Sequence, residues 1–335
     1  DVTAFVPFRA LLPKGLEGIA VTGLGASAHR DAMPVIRMQP CLQNQGYAVG
    51  WAAAMASKNE QRIRYIDLKK LQKELVKLGS LPEHVLTDKD NYPPSYEKVQ
   101  QAAQTVTDDL KGLEMVLWDK EKGITALTDQ YHFMQDEADK LVYARILGML
   151  GEPTGWQELI KAIDSYDDWD EGWNFRGMGQ FGRSLSYLDS LIIAAGRTQR
   201  TEVLPSIFRL MEKLTPESHF SHFRAVAIAL ETIGDQEATE PLFRVLEMPG
   251  VRGHAMPDIE TAKEMTPANR NDVSTRNNSL RELILGRALY KCGDFNGAGN
   301  QILNEYSKDL RGHYYRHAKG VLEMFSKQKE PEVEL

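Results

Sequence analysis

The sequence predicts an α/β segment followed by a longer, all-α domain of repeated helix pairs. Residues 1–90 combine short apolar runs with a helix of small residues, whereas helical periodicity dominates from Ser95 onward. The stretch DKDNYPP at residues 88–94 is rich in turn-forming residues and separates the two parts. We therefore predict domains at residues 1–90 and 95–330, a division that suits a chain of 335 residues.

The composition is that of an ordinary globular protein and argues against several classes of function. Apolar residues make up 42% of the chain and charged residues 26%, with a net charge of −7. The acidic balance argues against nucleic-acid binding, which needs a basic surface. Two cysteines cannot form a disulfide framework or a cysteine-based metal site, and we predict no metal ligands. No run approaches the roughly 20 apolar residues of a membrane span.

The first domain is predicted to alternate strands and helices. Val2–Val6 and Gly18–Thr22 are short apolar runs typical of strands. A helix is predicted over Pro40–Met55, because proline suits a first helical turn and alanines favour the helical state. A second helix is predicted over Asp67–Leu78, with Asp67 as its cap and leucines at helical spacing.

Two glycine-rich strings match a dinucleotide fingerprint, but neither is expected to bind a phosphate. In a true fingerprint, a helix starts at the glycines. After the string GLGASA at residues 23–28, prolines intervene and the next helix starts about 15 residues later. The string GMGQFG at residues 177–182 follows no hydrophobic strand. The second string is better interpreted as an aromatic-bearing loop.

The helix that starts at Pro40 has features that suit a flat, anionic cofactor. Its first turn presents free backbone N–H groups and the positive end of the helix dipole, which stabilise a reduced flavin anion. Gly46 and Gly50 remove side chains where a ring could approach closely. The alternative is a small-residue helix that packs tightly on a sheet.

The second domain repeats one pattern, an apolar helix, a glycine turn and a second apolar helix. The copies lie at residues 141–163, 191–214, 225–247 and 285–307, and we predict Gly151, Gly196, Gly234 and Gly293 as their turn glycines. The first two spacings, 45 and 38 residues, fit HEAT-like repeats that stack into a solenoid. The alternative is an irregular helical bundle.

Two stretches interrupt the repeats and are predicted to be functional loops on one edge. They span residues 167–183 and 250–278, each after the second helix of a pair. Trp169, Trp173 and Phe175 form either a sugar-stacking surface or a small satellite core. His254, in the second stretch, is placed with them as a candidate substrate-loop residue.

Several motifs of the first domain resemble one family. The chain has Gly23 after a predicted strand, then SAHR at residues 27–30, IRMQP at 36–40 and QGYAVG at 45–50. With the following helix, residues 8–80 resemble the C-terminal part of a family of FAD-dependent oxidoreductases. Gln39 and the polar QNQ at residues 43–45 depart from the usual pattern and put amides near the expected flavin edge.

The helical domain is also similar to a C-terminal extension found on one branch of that family. The similar strings begin at Trp169, Arg252 and Asp309. Some members of that branch carry a label that relates them to polysaccharide lyases. The resemblance also favours an extracytoplasmic location.

The resemblance implies that residues 1–90 are a fragment of a Rossmann-type FAD-binding domain. Its phosphate-binding glycines would lie far upstream, and Asp1 begins the chain without an initiator Met. We therefore expect an upstream FAD-domain segment or a companion chain as a partner. His29 and Arg37 are the candidate catalytic residues. The candidate cofactor-binding residues are Gly23, Gly25, Ser27, Arg37, Met38, Gln39, Gln43, Gln45 and Gly46.

The sequence therefore predicts the C-terminal portion of a flavin-dependent oxidoreductase, with helical-repeat loops that cover the flavin site and a sugar as substrate. Two alternatives stay open. One is a helical-repeat scaffold or adaptor without a cofactor. The other is a carbohydrate-active lyase, which would form product without an electron acceptor.

Overall fold

A computed structural model describes residues 5–29, 32–88, 93–175, 186–269 and 271–329, with side chains to residue 325. Their contacts divide the chain into two compact units, Asp1–Tyr92 and Pro93–Leu335. Arg30, the string at residues 177–182 and most of Val2–Val6 lie outside the described residues. Within the described ranges, no helix is both long and apolar enough to cross a membrane.

The N-terminal unit is built around one long helix. Its helices are α1 (Met33–Ile36), α2 (Gln39–Lys58) and α3 (Leu68–Lys77). The Asp67 carboxylate caps α3 as predicted, because it accepts a hydrogen bond from the Lys70 backbone N–H at 3.0 Å. The α2 and α3 helices share a small core composed of Ala52, Ala56, Ile66, Leu71 and Leu75.

The strands predicted in this unit do not form in the described residues. Gly18–Thr22 is irregular, and Gly23–Gly25 is a single 3₁₀ turn. The Val21 N–H donates to the Leu11 carbonyl at 2.8 Å, but no strand ladder continues from this bond. A strand needs a neighbouring strand to satisfy its backbone groups, and none is present in the described part of the unit. The strand prediction for Gly18–Thr22 is therefore wrong, and the regular elements in the described part of this unit are helices.

The second unit consists of helices joined by turns and loops, and its described residues contain no strand. Its helices are α4 (Tyr96–Ala103), α5 (Leu113–Val116), α6 (Lys120–Phe133), α7 (Glu137–Leu150), α8 (Trp156–Asp164), α9 (Tyr187–Arg197), α10 (Leu204–Met211), α11 (Phe220–Ile233), α12 (Thr239–Leu246), α13 (Ile259–Met265), α14 (Ser274–Lys291), α15 (Ala298–Tyr306) and α16 (Gly312–Lys329). One continuous core of buried residues extends from Val99 to Val321.

Four helix pairs occupy the segments where the repeated pattern lies. The pairs are α7–α8, α9–α10, α11–α12 and α14–α15. The first helices stack in chain order, α7 on α9, α9 on α11 and α11 on α14. This stacking joins the apolar faces of neighbouring pairs into one core, because a single pair cannot bury its own face.

The glycines between the paired helices confirm the turn prediction at three positions and contradict it at one. Gly151, Gly234 and Gly293 have φ values of 85°, 73° and 119°, in the left-handed region that favours glycine. Gly196 instead lies inside α9, where an added Cβ would come within 2.3 Å of the Ala229 Cα. Gly196 is therefore a close-packing residue between α9 and α11. The turn that follows α9 places Gln199 at a φ of 57°.

Candidate functional site

The N-terminus of α2 is exposed and carries no side-chain cap. Met38 is the N-cap residue, its side chain makes no capping hydrogen bond, and it is 46% exposed. The first N–H groups of an α-helix have no acceptor within the helix, and Pro40 lacks an N–H. The start of a 20-residue helix therefore offers backbone donors and a partial positive charge to an anionic group.

One face of α2 consists of small residues and is open. Gly46 and Gly50 are exposed, and a Cβ added at either position would meet no atom within 4 Å. Ala53 and Ala54 continue the exposed face at helical spacing. The opposite face packs on the small core through Ala52 and other residues. A flat group could therefore approach the α2 backbone without displacing a side chain.

Gln45 joins the glycine loop to α2. The Gly23 N–H donates to Gln45 Oε1 at 3.2 Å, and Gln45 Nε2 donates to the Ile36 carbonyl at 2.7 Å. The side chain is 7% exposed, so its amide is engaged inside the protein. Gly23 has a φ of 70°, and a Cβ at Gly25 would come within 2.5 Å of the Val21 side chain. These three residues shape the loop beside the start of α2.

The other predicted residues of this unit lie on the surface. The exposed residues are Ser27, His29, Arg37, Met38, Gln39 and Gln43. Arg37 ends α1 and directly precedes the N-cap of α2, so its position along the chain places it at the helix N-terminus. Ser27 is fixed through its N–H, which donates to the Ala10 carbonyl at 2.8 Å. The structure therefore places Arg37, Met38 and Gln39 together at the start of α2.

In the helical unit, the three aromatic residues of the first loop separate into two environments. Trp169 packs against the main core, and its Nε1 donates to the Leu210 carbonyl at 3.0 Å. Its ring lies 4.5 Å from that of buried His222, whose Nδ1 is 2.8 Å from Asp189 Oδ1. Trp169 is therefore part of the packed interior, as the satellite-core alternative describes.

Trp173 and Phe175 form a second aromatic cluster with Phe220. The sequence analysis did not single out Phe220. Their ring centroids are 5.2 to 5.6 Å apart. Asn277 of α14 holds this loop, because its Oδ1 accepts from the Phe175 N–H at 2.9 Å and its Nδ2 donates to the Phe175 carbonyl at 3.2 Å. This cluster lies beside the N-terminal part of α14.

The second loop also meets α14 and is held by buried charges. Glu282, which is fully buried, accepts from the N–H groups of Gly253 and His254, each at 2.8 Å. The His254 carbonyl accepts from Arg311 at 3.0 Å, and the His254 Nε2 lies 2.9 Å from the Gly250 carbonyl. His254 is therefore fixed mainly through its backbone. Both predicted loops converge on α14.

A buried ion pair between Arg311 and Asp309 also holds the second loop. Arg311 makes a bidentate contact with Asp309 at 2.8 and 2.6 Å, and Asp309 accepts from the Met256 N–H at 2.9 Å. Burial raises the pKa of Asp309, but the hydrogen bonds from Arg311 and the backbone outweigh it, so the pKa is lowered. Burial and the adjacent Glu282 carboxylate hold the pKa of Tyr306 far above its ordinary value.

The sequence reasoning missed Arg281, Glu282 and Asp309 as residues that organise these loops. The backbone groups that they bind, at Gly253, Pro216 and Met256, lie about 30 to 65 positions away in the chain, so spacing carries no signal for these contacts. Arg281 and Glu282 could have been found from the sequence, because they place charges within the apolar pattern of α14. In the described residues, no three His, Cys, Asp or Glu side chains are placed to hold a metal ion.

The comparisons with known proteins agree with the N-terminal observations. Residues 4–75 match the sequence model of the family described as FAD dependent oxidoreductase. Among curated proteins and among solved structures, nothing matches the chain. The family match covers the glycine loop, α1, α2 and most of α3, and it implies FAD as the cofactor. Residues 4–75 are therefore similar to a segment of the FAD dependent oxidoreductase family, and this match supports the resemblance seen in the sequence.

Proposed function

We propose that the N-terminal unit forms the flavin-ring end of an FAD site in an oxidoreductase. The observation that carries this proposal is the family match over residues 4–75, which contains the uncapped start of α2 and its open glycine face. FAD, when bound, supplies the acceptor for a hydride from the substrate. This chain supplies orientation and electrostatic stabilisation around the ring.

The residues of this segment fit such a group. The uncapped N-terminus of α2 stabilises negative charge by roughly 0.3–1 kcal/mol at an exposed site, and by ~2 kcal/mol if partly buried. Gly46 and Gly50, about one helical turn apart, leave the helix backbone accessible on this face. Met38 and Tyr47 each expose 46% of their surface and offer apolar contact to a ring.

The residue roles follow from these positions. Ser27, Met38, Gln39, Gln43 and Gly46 contact the cofactor from the loop and from the first two turns of α2. Gln45, Gly23 and Gly25 act indirectly, because they fix the loop beside that helix.

Arg37 and His29 are the exposed ionisable side chains that we assign to catalysis. Arg37 pairs with anionic groups or the flavin carbonyl, while His29 faces the flavin or the substrate. An upstream FAD-domain segment or a companion chain provides the phosphate-binding glycines.

We also propose that the helical unit is a HEAT-like repeat domain that contributes substrate-binding residues, with a sugar as the substrate. The stacked helix pairs support the repeat architecture. The aromatic cluster of Trp173, Phe175 and Phe220 supports a role in carbohydrate contact.

The experiment is to isolate the protein from its native source under non-denaturing conditions. We expect visible flavin absorbance, a polypeptide segment with a phosphate-binding glycine loop, and substrate turnover that requires an electron acceptor. Colourless protein without such a segment would refute the proposal in favour of a scaffold. Product formation without any acceptor would indicate a lyase instead.

A further inference from the structure

A cleft of about 350 Å³ opens in the helical unit beside the N-terminal part of α14. It lies between the end of the first loop, the segment that precedes α11, and α14. Its volume is within the roughly 300–1,000 Å³ of typical small-molecule sites. No residue of this cleft belongs to the N-terminal segment that matches the flavoenzyme family.

The cleft combines aromatic surface with hydrogen-bonding groups. Phe175 and Phe220 line it, with ring centroids 5.2 Å apart at a tilt of 43°. Asn278 and Ser274 add an amide and a hydroxyl from α14. An apolar ligand would displace water from the exposed Ser274 hydroxyl and from the half-buried Asn278 amide, which costs free energy. The lining therefore favours a ligand that has both hydrophobic C–H surface and several hydroxyls.

The charges in the cleft favour a neutral ligand. Arg281 is 7% exposed and lines the cleft, and its Nη atoms already donate to the Pro216 and Gly250 carbonyls at 2.6 and 2.8 Å. Its Nε is buried without a hydrogen-bond partner in the described residues. The exposed Glu217 carboxylate lines the same cleft and opposes an anion. A cation or an anion would meet one like charge, whereas a neutral ligand's hydroxyl groups can donate to the exposed Glu217 carboxylate.

We propose that this cleft binds a neutral pyranose sugar. Phe220 is 4% exposed and backs the half-buried Phe175, whose ring is approached by the Arg276 guanidinium at 4.0 Å, so the sugar's C–H face packs on the remaining exposed surface of Phe175. The sugar's hydroxyls bond to Glu217 and to the polar side chains of α14. The proposal that the cleft binds a sugar is argued from this geometry alone. The proposal that this sugar is also the substrate rests on the proposed oxidoreductase function.

The test measures binding of D-glucose, D-galactose and D-mannose to the full chain by saturation-transfer NMR at millimolar concentration. We expect binding of at least one hexose, with the strongest transfer to protons on one ring face. Glu217→Ala should weaken that binding about tenfold, since a hydrogen bond to a charged group contributes about 1.5–3 kcal/mol. Phe175→Ala should reduce transfer to the same ring face. The deoxy analogue that lacks the bonded hydroxyl should bind more weakly than the parent hexose.

Phe133→Ala is the matched control, because Phe133 is 79% exposed and does not line the cleft. Glu217 is also exposed, so its replacement should leave the fold intact even if Phe175→Ala unfolds the loop. Absence of hexose binding to the wild type would overturn the proposal, as would equal binding by Glu217→Ala and the wild type. Flavin content is measured in the same preparations. In the natively isolated assembly, sugar binding without flavin would refute the proposed oxidoreductase, and flavin without sugar binding would refute the cleft.

Discussion

The helices α2 and α11 both contain several alanines but lie in opposite environments. In α2, three of 20 residues are buried, namely Gln45, Ala52 and Ala56. In α11, nine of 14 residues are buried between α9 and α14. The small residues of α11 allow neighbouring helices to approach closely, whereas Gly46 and Gly50 of α2 face open space. Small residues thus serve helix packing in one unit and an open surface in the other.

The two units also differ in how their residues are held in place. The helical unit fixes its loops with buried, hydrogen-bonded charges, such as Glu282 and the Arg311–Asp309 pair. The N-terminal unit has a small core and keeps its longest helix largely exposed. We therefore expect mutations in the helical unit to change stability most, and mutations on the open face of α2 to change cofactor binding most.

The largest stability effect is expected for Asp309→Ala. The change leaves the Arg311 guanidinium without its buried carboxylate and removes the acceptor for the Met256 N–H. Breaking a buried pair costs about 3–5 kcal/mol, which should appear as a lower urea midpoint for the helical unit. The control is Lys161→Ala, because its pair with Glu137 is largely exposed and should contribute about 1 kcal/mol or less. Equal effects of the two changes would contradict the role given to the buried pair.

The same pair should give the helical unit an acid-sensitive stability. Since the folded pKa of Asp309 is lowered, its contribution is complete above the ordinary carboxyl value of about 3.9 and is lost as pH falls through the folded pKa. Urea unfolding as a function of pH should show this loss in the wild type. The Asp309→Asn variant should show a weaker dependence in the same acid range.

A smaller effect is expected for Gly196→Ala. The new Cβ would come within 2.4 Å of the Ala229 Cβ, so α9 and α11 would have to separate. Overpacking of this kind costs about 1–3 kcal/mol, measurable by thermal unfolding. In contrast, Gly320→Ala in α16 should stabilise by about 0.5–1 kcal/mol, because its Cβ would meet no atom within 4 Å. If Gly196→Ala also stabilised the protein, the close approach of α9 and α11 would be refuted.

The most local effect is expected for Gln45→Met. The variant keeps the side-chain length but removes the bonds to the Gly23 N–H and the Ile36 carbonyl. We expect faster hydrogen exchange at Gly23, with a cost of about 1–3 kcal/mol to the local structure. Gln43→Met, on the exposed side of the same helix, should leave that exchange unchanged. Identical exchange in both variants would show that Gln45 does not hold the loop.

The features that the sequence predicted well are local. The aspartate cap of α3 and the left-handed glycines after α7, α11 and α14 depend on residues within one or two turns. The positions of the helices could be predicted because apolar spacing and caps are encoded within each segment. The candidate residues at the start of α2 were likewise suggested by a contiguous motif.

The features that the sequence did not predict depend on distant partners. Gly18–Thr22 has the composition of a strand, but the described residues provide no neighbouring strand to pair with it. Gly196 has the spacing of a turn glycine, but its role is set by Ala229 on another helix. The positions of Glu282 and Asp309 beside the second loop depend on contacts that join segments about 30 to 55 residues apart.

The most direct test of the account compares Gly46→Leu with Gly320→Leu in the natively assembled protein. Both glycines are in helices, and a Cβ at either position meets nothing within 4 Å, so both variants should fold. We predict that Gly46→Leu loses bound flavin, because the side chain fills the space above α2, while Gly320→Leu keeps the wild-type flavin absorbance. Wild-type flavin content in Gly46→Leu would contradict the assignment of this helix face to the cofactor.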